Sequence, residues 1–215
     1  MYRLIYVILI SVLCLSCGQN PQNTKEIVGE QPEAEQNKKP ADQKQSGNGQ
    51  QEKEQEKEAD VEADIKASTL IAEGAAVPEF SFTTTRGEQY SMKGLEGKVV
   101  LLNFFATWCP TCMKEMPALQ NQVWSKYKDR ADFMLVSIGR EQNMQKIKEF
   151  KAEKGYDFHF APDTGRVIYG KFAEKYIPRN VVVDKQGTIV YQSTGYDEEK
   201  FSNMLQVIED RLAGE

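Results

Sequence analysis

The sequence predicts an α/β domain over residues 70–215, with a mixed central sheet flanked by helices. Two apolar runs rich in β-branched and aromatic residues, 98–105 and 132–139, read as buried strands. A segment with helical spacing separates them, which predicts a parallel βαβ unit. Near the carboxyl end, a valine-rich strand turns at 184–187 and returns, which predicts an antiparallel hairpin. Parallel and antiparallel pairs together make the predicted sheet mixed.

The chain opens with a targeting segment, residues 1–17. Arg3 supplies an early positive charge, and residues 4–15 are apolar except for Ser11. This run is too short for a comfortable membrane span and is typical of a signal-peptide core. We therefore predict that the segment directs the following domain out of the cytoplasm.

The end of this segment predicts a lipid anchor at Cys17. Ser16 is a small residue before a cysteine, and this arrangement resembles the bacterial lipoprotein cleavage site, in which that cysteine is lipidated. Cys14 stands where leucine is usual in that motif. Ordinary signal cleavage and an uncleaved anchor are the alternatives, and all three place the domain outside the cytoplasm.

Residues 18–69 are predicted to be a disordered linker. They contain seven basic and twelve acidic residues, so their net charge of −5 equals that of the whole chain. Gln, Glu, Lys, Asn and Pro dominate, and such a segment buries too little apolar surface to offset its ordering entropy. We expect a flexible tether, with transient helix near 52–66, that reaches on the order of 40 Å. A specific docking role for the linker is the alternative.

The folded part is predicted to begin near Leu70 with a β-hairpin. Phe80 and Phe82 alternate with polar residues as in an edge strand, and a turn at 86–88 leads to a second short strand. Helical spacing predicts helices at 110–130, 144–154, 165–176 and 197–212. Strands are predicted at 156–160, within 177–184 and at 188–191.

The chemistry is predicted at Cys109-Pro110-Thr111-Cys112, where the strand at 98–105 gives way to a helix. Pro110 suits the first helical position, which puts Cys109 at the N-cap and Cys112 in the first turn. Unpaired N–H groups and the helix dipole favour a thiolate there. We predict Cys109 as the nucleophile and Cys112 as the thiol that resolves a mixed disulfide, which makes a reversible two-electron switch.

Half of a zinc site is the alternative for this motif. Zinc takes four ligands, but beyond the first 17 residues the chain has no other cysteine, and His159 is its only histidine. The sequence therefore favours redox chemistry, with no metal and no other cofactor, because no nucleotide or flavin motif is visible. His159, between two phenylalanines, is predicted as a strand residue rather than a ligand.

The segment at 103–112, Asn-Phe-Phe-Ala-Thr-Trp-Cys-Pro-Thr-Cys, followed by Glu115 and Pro117, resembles the active site of the thioredoxin superfamily. In particular it resembles the TlpA/ResA-type membrane-tethered thiol–disulfide oxidoreductases. The resemblance covers about residues 70–213. It implies a thioredoxin fold with an N-terminal β-hairpin and a central α–β insertion. It also implies that Trp108 packs beside the cysteines, where a merely exposed aromatic is the alternative.

The resemblance gives Glu115 a role. A glutamate at this spacing exchanges protons with the cysteines in the TlpA/ResA type, and a carboxylate could act as the base for Cys112. An exposed glutamate favoured by the helix dipole is the alternative. Asn103 stands where thioredoxin has a buried aspartate, and because it cannot titrate it favours Glu115 as the proton acceptor.

The resemblance also implies that Pro178 is cis and faces the cysteines. The carbonyl and N–H of Ile177 would then bind an extended client segment beside the sulfurs. A simple turn proline is the alternative. Arg179 stands where a small or β-branched residue is common, so it either alters client preference or points to solvent.

Together these observations predict an extracytoplasmic thiol–disulfide oxidoreductase tethered to a bacterial membrane. The resemblance implies reduction of client protein disulfides, for example in cytochrome c maturation. The partners would be those clients, a membrane or periplasmic thiol electron donor, and the membrane itself. The acidic pI near 5.2 argues against nucleic acid as a partner.

Three other functions compete with this prediction. Thr111 stands where thioredoxin has proline, and the spacer between the cysteines helps set the reduction potential, so a disulfide-inserting oxidase stays open. A thiol peroxidase is disfavoured because Ala106 stands where peroxiredoxins need threonine. A non-catalytic client-binding module is disfavoured by the intact pair of cysteines.

Overall fold

The computed structural model describes residues 48–214, with side chains from residue 55 onward. The predicted signal peptide, Cys17 and most of the predicted linker lie outside the described residues. Within this range, no helix is long and apolar enough to cross a membrane.

A five-stranded sheet with the order β5–β4–β3–β6–β7 organises the domain. Its strands are β3 (Val99–Phe105), β4 (Phe133–Arg140), β5 (His159–Asp163), β6 (Arg179–Val183) and β7 (Ile189–Thr194). Strands β3, β4 and β5 run parallel, whereas β6 is antiparallel to both β3 and β7. The predicted mixed sheet is confirmed.

Helices and a small hairpin surround this sheet. They are helix α1 (Asn48–Ala67), the hairpin of β1 (Ser81–Thr83) and β2 (Gln89–Ser91), and helices α2 (Pro110–Ala118), α3 (Ser125–Tyr127), α4 (Met144–Lys154) and α5 (Glu198–Ala213). A π-helical stretch, Leu119–Trp124, joins α2 to α3, so the helix predicted at 110–130 changes its hydrogen-bond pattern along its length.

Two apolar cores cover the two faces of the sheet. Alternate residues of β3 point to opposite faces, so Leu101 and Phe105 join one core and Leu102 and Phe104 join the other. The first core receives side chains of α2, α4 and α5. The second receives the β1–β2 hairpin and the segment around Phe172. The two cysteines lie just beyond the carboxyl end of β3, where α2 begins.

The prediction of a helix at 165–176 is wrong. Only Tyr169–Lys171 forms a 3-10 turn, and the apolar side chain of Val167 is exposed. Arg166 has a left-handed φ of 56°, which interrupts a right-handed helix. The buried Asp163 carboxylate instead accepts the backbone N–H groups of Ile168 and Tyr169, at 3.1 and 2.8 Å. The strand predicted at 156–160 lies three residues later, as β5.

The predicted linker is helical where the structure describes it. Its Glu, Lys, Gln and Ala residues are strong helix formers, and they build α1. The chain that follows pairs with the domain, because the Leu70 N–H donates to the Phe172 carbonyl at 2.9 Å and the Glu174 N–H to the Ser68 carbonyl at 2.8 Å. The domain therefore begins before Leu70.

Candidate active site

The two cysteines form a disulfide at the start of α2. Cys109 is the N-cap, with extended backbone, and Pro110 takes the first helical position as the sequence predicts. The Cys109 sulfur accepts the backbone N–H of Cys112 at 3.2 Å. Cys109 retains 4% exposure and Cys112 none. A thiolate on Cys109 would therefore meet a hydrogen-bond donor and the positive end of the helix, while Cys112 is shielded from solvent.

The segment that leads into β6, the strand next to β3, reaches the outer sulfur. The Ile177–Pro178 peptide bond is cis, as the resemblance implies. The Ile177 carbonyl oxygen lies 3.8 Å from the Cys109 sulfur. Trp108, 63% exposed, stands next to the same sulfur in the chain and offers an apolar surface to solvent. A backbone carbonyl, an exposed indole and a reactive sulfur therefore lie at one edge of the domain.

Glu115 lies inside the protein, three residues after Cys112, and is 1% exposed. Its carboxylate oxygens accept the amides of Asn103 at 2.8 Å and Asn180 at 2.6 Å. The Ser137 hydroxyl donates in turn to the Asn103 carbonyl oxygen at 2.8 Å. Burial raises the pKa of Glu115 to about 7, and the hydrogen bonds from the two side-chain amides partly oppose this rise. The alternative prediction, that Glu115 is exposed, is therefore wrong. Its carboxyl can exchange a proton near neutral pH.

Arg179, directly after the cis proline, is also buried, with 1% exposure. The alternative in which it points to solvent is therefore wrong. Its Nε and Nη2 atoms have no hydrogen-bond partner among the side chains and backbone described. Burial raises the pKa of the Tyr169 hydroxyl, and the nearby Arg179 guanidinium opposes that shift. An effect of Arg179 on client preference stays a prediction.

His159 occupies β5 as the sequence predicts. Its Nδ1 lies 3.2 Å from the Glu88 carboxylate, and its ring packs edge-on against Tyr90 and Trp124. Burial lowers the pKa of this imidazole, partly opposed by Glu88. The ring packs between β2 and the π-helical stretch.

Comparison with known proteins identifies the family. The Redoxin family model matches residues 72–208, which is more than half of the chain. The chain belongs to the Redoxin family. Within this family it is 34% identical over 122 residues to the thiol-disulfide oxidoreductase ResA of Bacillus thuringiensis, a match that covers 57% of this chain and 69% of ResA.

Solved structures similar to this Redoxin-family protein are also thiol–disulfide exchange proteins by name. A putative protein disulfide isomerase from Bacteroides thetaiotaomicron is 37% identical, with a TM-score of 0.65, over 68% of this chain and 93% of that one. A putative thiol:disulfide interchange protein DsbE from Chlorobium tepidum is 26% identical, with a TM-score of 0.55, over 65% and 97%. The protein is thus a ResA-like thiol–disulfide oxidoreductase with a thioredoxin fold.

Glu115, Asn103, Asn180 and Ser137 of this Redoxin-family protein form one hydrogen-bond network, and two of its members are absent from the sequence prediction. Asn180 and Ser137 are both buried polar residues, in β6 and β4. Ser137 interrupts an apolar run in β4, and Asn180 directly precedes three valines in β6. A polar side chain inside a buried strand needs a hydrogen-bond partner, and that need is the signal that could have pointed to both.

Proposed function

We propose that this oxidoreductase is anchored outside the cytoplasm by a lipid on Cys17 and reduces disulfides of client proteins, such as apocytochrome c cysteines before haem attachment. The observation that carries the client-binding part is the Ile177 carbonyl, 3.8 Å from the Cys109 sulfur. An extended client segment that pairs with this backbone would bring its own disulfide to Cys109. The resemblance of the active-site segment to the TlpA/ResA type supports the direction of electron flow.

The proposed reaction transfers two electrons in two exchange steps. The Cys109 thiolate attacks one client sulfur, which forms a mixed disulfide and releases the other client sulfur as a thiolate that takes up a proton. The Cys112 thiolate then attacks the Cys109 sulfur, forms the Cys109–Cys112 disulfide and releases the first client sulfur. The client disulfide is reduced and the enzyme dithiol is oxidised. A second protein dithiol must return two electrons to the enzyme.

Glu115 is proposed to accept the proton of the Cys112 thiol before the second step. Cys112 is fully buried in the disulfide form, so water is a poor acceptor there. The Glu115 carboxyl, with a pKa of about 7, is matched to deliver and take protons near neutral pH. Asn103 and Asn180 hold its two oxygens and so fix its position. Trp108 is proposed to contact the bound client.

The reduction potential tests the proposed direction. We expect the Cys109/Cys112 pair of the full chain, with Cys14 and Cys17 replaced by serine, to equilibrate with dithiothreitol or glutathione buffers at or below roughly −250 mV. Such a value would make the dithiol a reductant that needs an external donor. A potential above about −150 mV would mean that the protein inserts disulfides and would reject the reductase proposal.

The lipid anchor is tested by two serine variants in neighbouring positions. We expect mass spectrometry of the membrane-bound protein to show an acylated cysteine at position 17 with residues 1–16 removed, and Cys17→Ser to lose the acyl mass, because this variant removes the attachment site of the acyl chains. Cys14→Ser is the matched control and should keep the acylated Cys17. A membrane-bound protein that retains residues 1–16 and carries no acyl mass at Cys17 would favour the uncleaved-anchor alternative.

A further inference from the structure

The last turn of α1 contacts the loop that leads into the cis proline. The Asp64 carboxylate accepts a hydrogen bond from the Tyr176 hydroxyl. It also forms an ion pair with Lys175, whose Nζ lies 3.0 Å from the Asp64 Oδ1. The hydrogen bond from Tyr176, and after it the one from Lys175, hold the pKa of Asp64 below its usual value. Residues 55–63 of the same helix are exposed. The helix therefore projects from the domain and reaches this loop through Asp64.

The same two loop residues are held from the inside of the domain. The buried Tyr169 hydroxyl lies within hydrogen-bond distance of the carbonyl oxygens of both Lys175 and Tyr176, 2.6 Å from the latter. Residues 175–176 are thus fixed between a core tyrosine on one side and the Asp64 carboxylate on the other.

The backbone of this loop needs such support. Tyr176 has a φ of 67°, in the left-handed region that a residue with a side chain adopts only where its surroundings hold it. Ile177 follows immediately, and its carbonyl faces the Cys109 sulfur. A change in the Tyr176 backbone would therefore move the carbonyl that the client is proposed to contact.

We propose that Asp64 is a positioning residue for client binding, which acts through Lys175 and Tyr176 on the backbone of Ile177. This inference rests on the proposed function, in which Ile177 pairs with an extended client. It also changes the role of the tether, because the last turn of α1 becomes part of the client site. Removal of Asp64 should then weaken binding of extended peptides and leave exchange at the sulfurs intact.

A purely structural role of Asp64 predicts a different result. The Asp64–Lys175 pair is exposed, and exposed ion pairs contribute little to stability. If Asp64 only stabilised the fold, its loss would reduce the folded fraction and lower the rates for every disulfide substrate by the same factor. The two roles are therefore separated by comparing a peptide substrate with a small one.

The test uses single-turnover reduction by the full chain with Cys14 and Cys17 replaced by serine. The substrates are an extended peptide that contains a disulfide and bis(2-hydroxyethyl) disulfide, which has no peptide backbone. We expect Asp64→Ala to raise the half-saturation concentration for the peptide about tenfold, as for one lost charge-assisted hydrogen bond, and to leave the rate with the small disulfide unchanged. Asp64→Asn, which keeps an oxygen for the Tyr176 hydroxyl, should recover part of this loss.

Glu58→Ala is the matched control, since Glu58 is exposed on the same helix six residues earlier. It should behave as the parent chain with both substrates. An unchanged peptide half-saturation in Asp64→Ala, or a parallel loss with both disulfides, would overturn the role of Asp64. A parent chain that shows no saturation with the peptide would instead reject the client site of the proposed function, and this outcome does not involve Asp64.

Discussion

Replacing Cys109 with serine is expected to lower the rate of disulfide reduction by more than about a thousandfold, because a serine hydroxyl ionises far less readily than a thiol at the same helix N-terminus. Cys109 is the sulfur that faces the Ile177 carbonyl and accepts the N–H of Cys112. The rate is measured under single-turnover conditions with a peptide disulfide, in the full chain with Cys14 and Cys17 replaced by serine.

Replacing Cys112 with serine should have a different effect and is the matched control. The first exchange still occurs, but no second thiol releases the client, so the mixed disulfide on Cys109 accumulates. A covalent adduct of one client per enzyme, visible by mass spectrometry and removed by dithiothreitol, is the expected product. Accumulation of the adduct in Cys109→Ser instead would mean that the roles of the two cysteines are reversed.

Replacing Glu115 with glutamine is expected to slow release of the mixed disulfide by about 10²- to 10⁴-fold above neutral pH, the usual contribution of a general base. In the parent protein this rate should rise with pH through about 7, because below that pH the carboxyl is protonated and cannot accept a proton. In the variant the step near 7 should vanish. Rapid-quench kinetics of the mixed disulfide at several pH values measures both effects.

Asn180→Ala provides the control for this pH profile, because it keeps the carboxyl and removes one of the two amides that lower its pKa. The midpoint of the rate profile should move upward in this variant and not disappear. A step near 7 that survives in Glu115→Gln would assign the titration to another group, and the general-base role of Glu115 would be rejected.

The stability of the oxidised protein gives an independent readout of the same titration. The pKa of Glu115 is raised from 4.5 when unfolded to about 7 when folded, so the folded state binds the extra proton between these values. Its contribution to the free energy of unfolding is therefore complete below about pH 4.5 and is lost as pH rises through about 7, by about 3 kcal/mol in total. Glu115→Gln should lack this loss when denaturant unfolding is compared across pH.

Local signals in the sequence were sufficient to locate the redox switch. The strand that ends at Phe105, the proline at 110 and the spacing of the two cysteines fix a helix N-terminus by short-range rules, and the structure has it there. Hydrophobic periodicity likewise located most strands. Periodicity failed at 165–176, because the left-handed Arg166 and the backbone bonds to Asp163 prevent a helix that the apolar spacing favours.

The sequence by itself determined the chemistry of this protein, and only the tertiary structure decided what surrounds that chemistry. The cysteine pair depends on residues three positions apart, whereas the bond from Asn180 to Glu115 joins residues 65 positions apart, and that from Tyr176 to Asp64 joins residues 112 apart. Long-range partners of this kind have no local signal. Burial, which sets the pKa of Glu115 and hides Arg179, likewise arises only when the sheet and helices pack together.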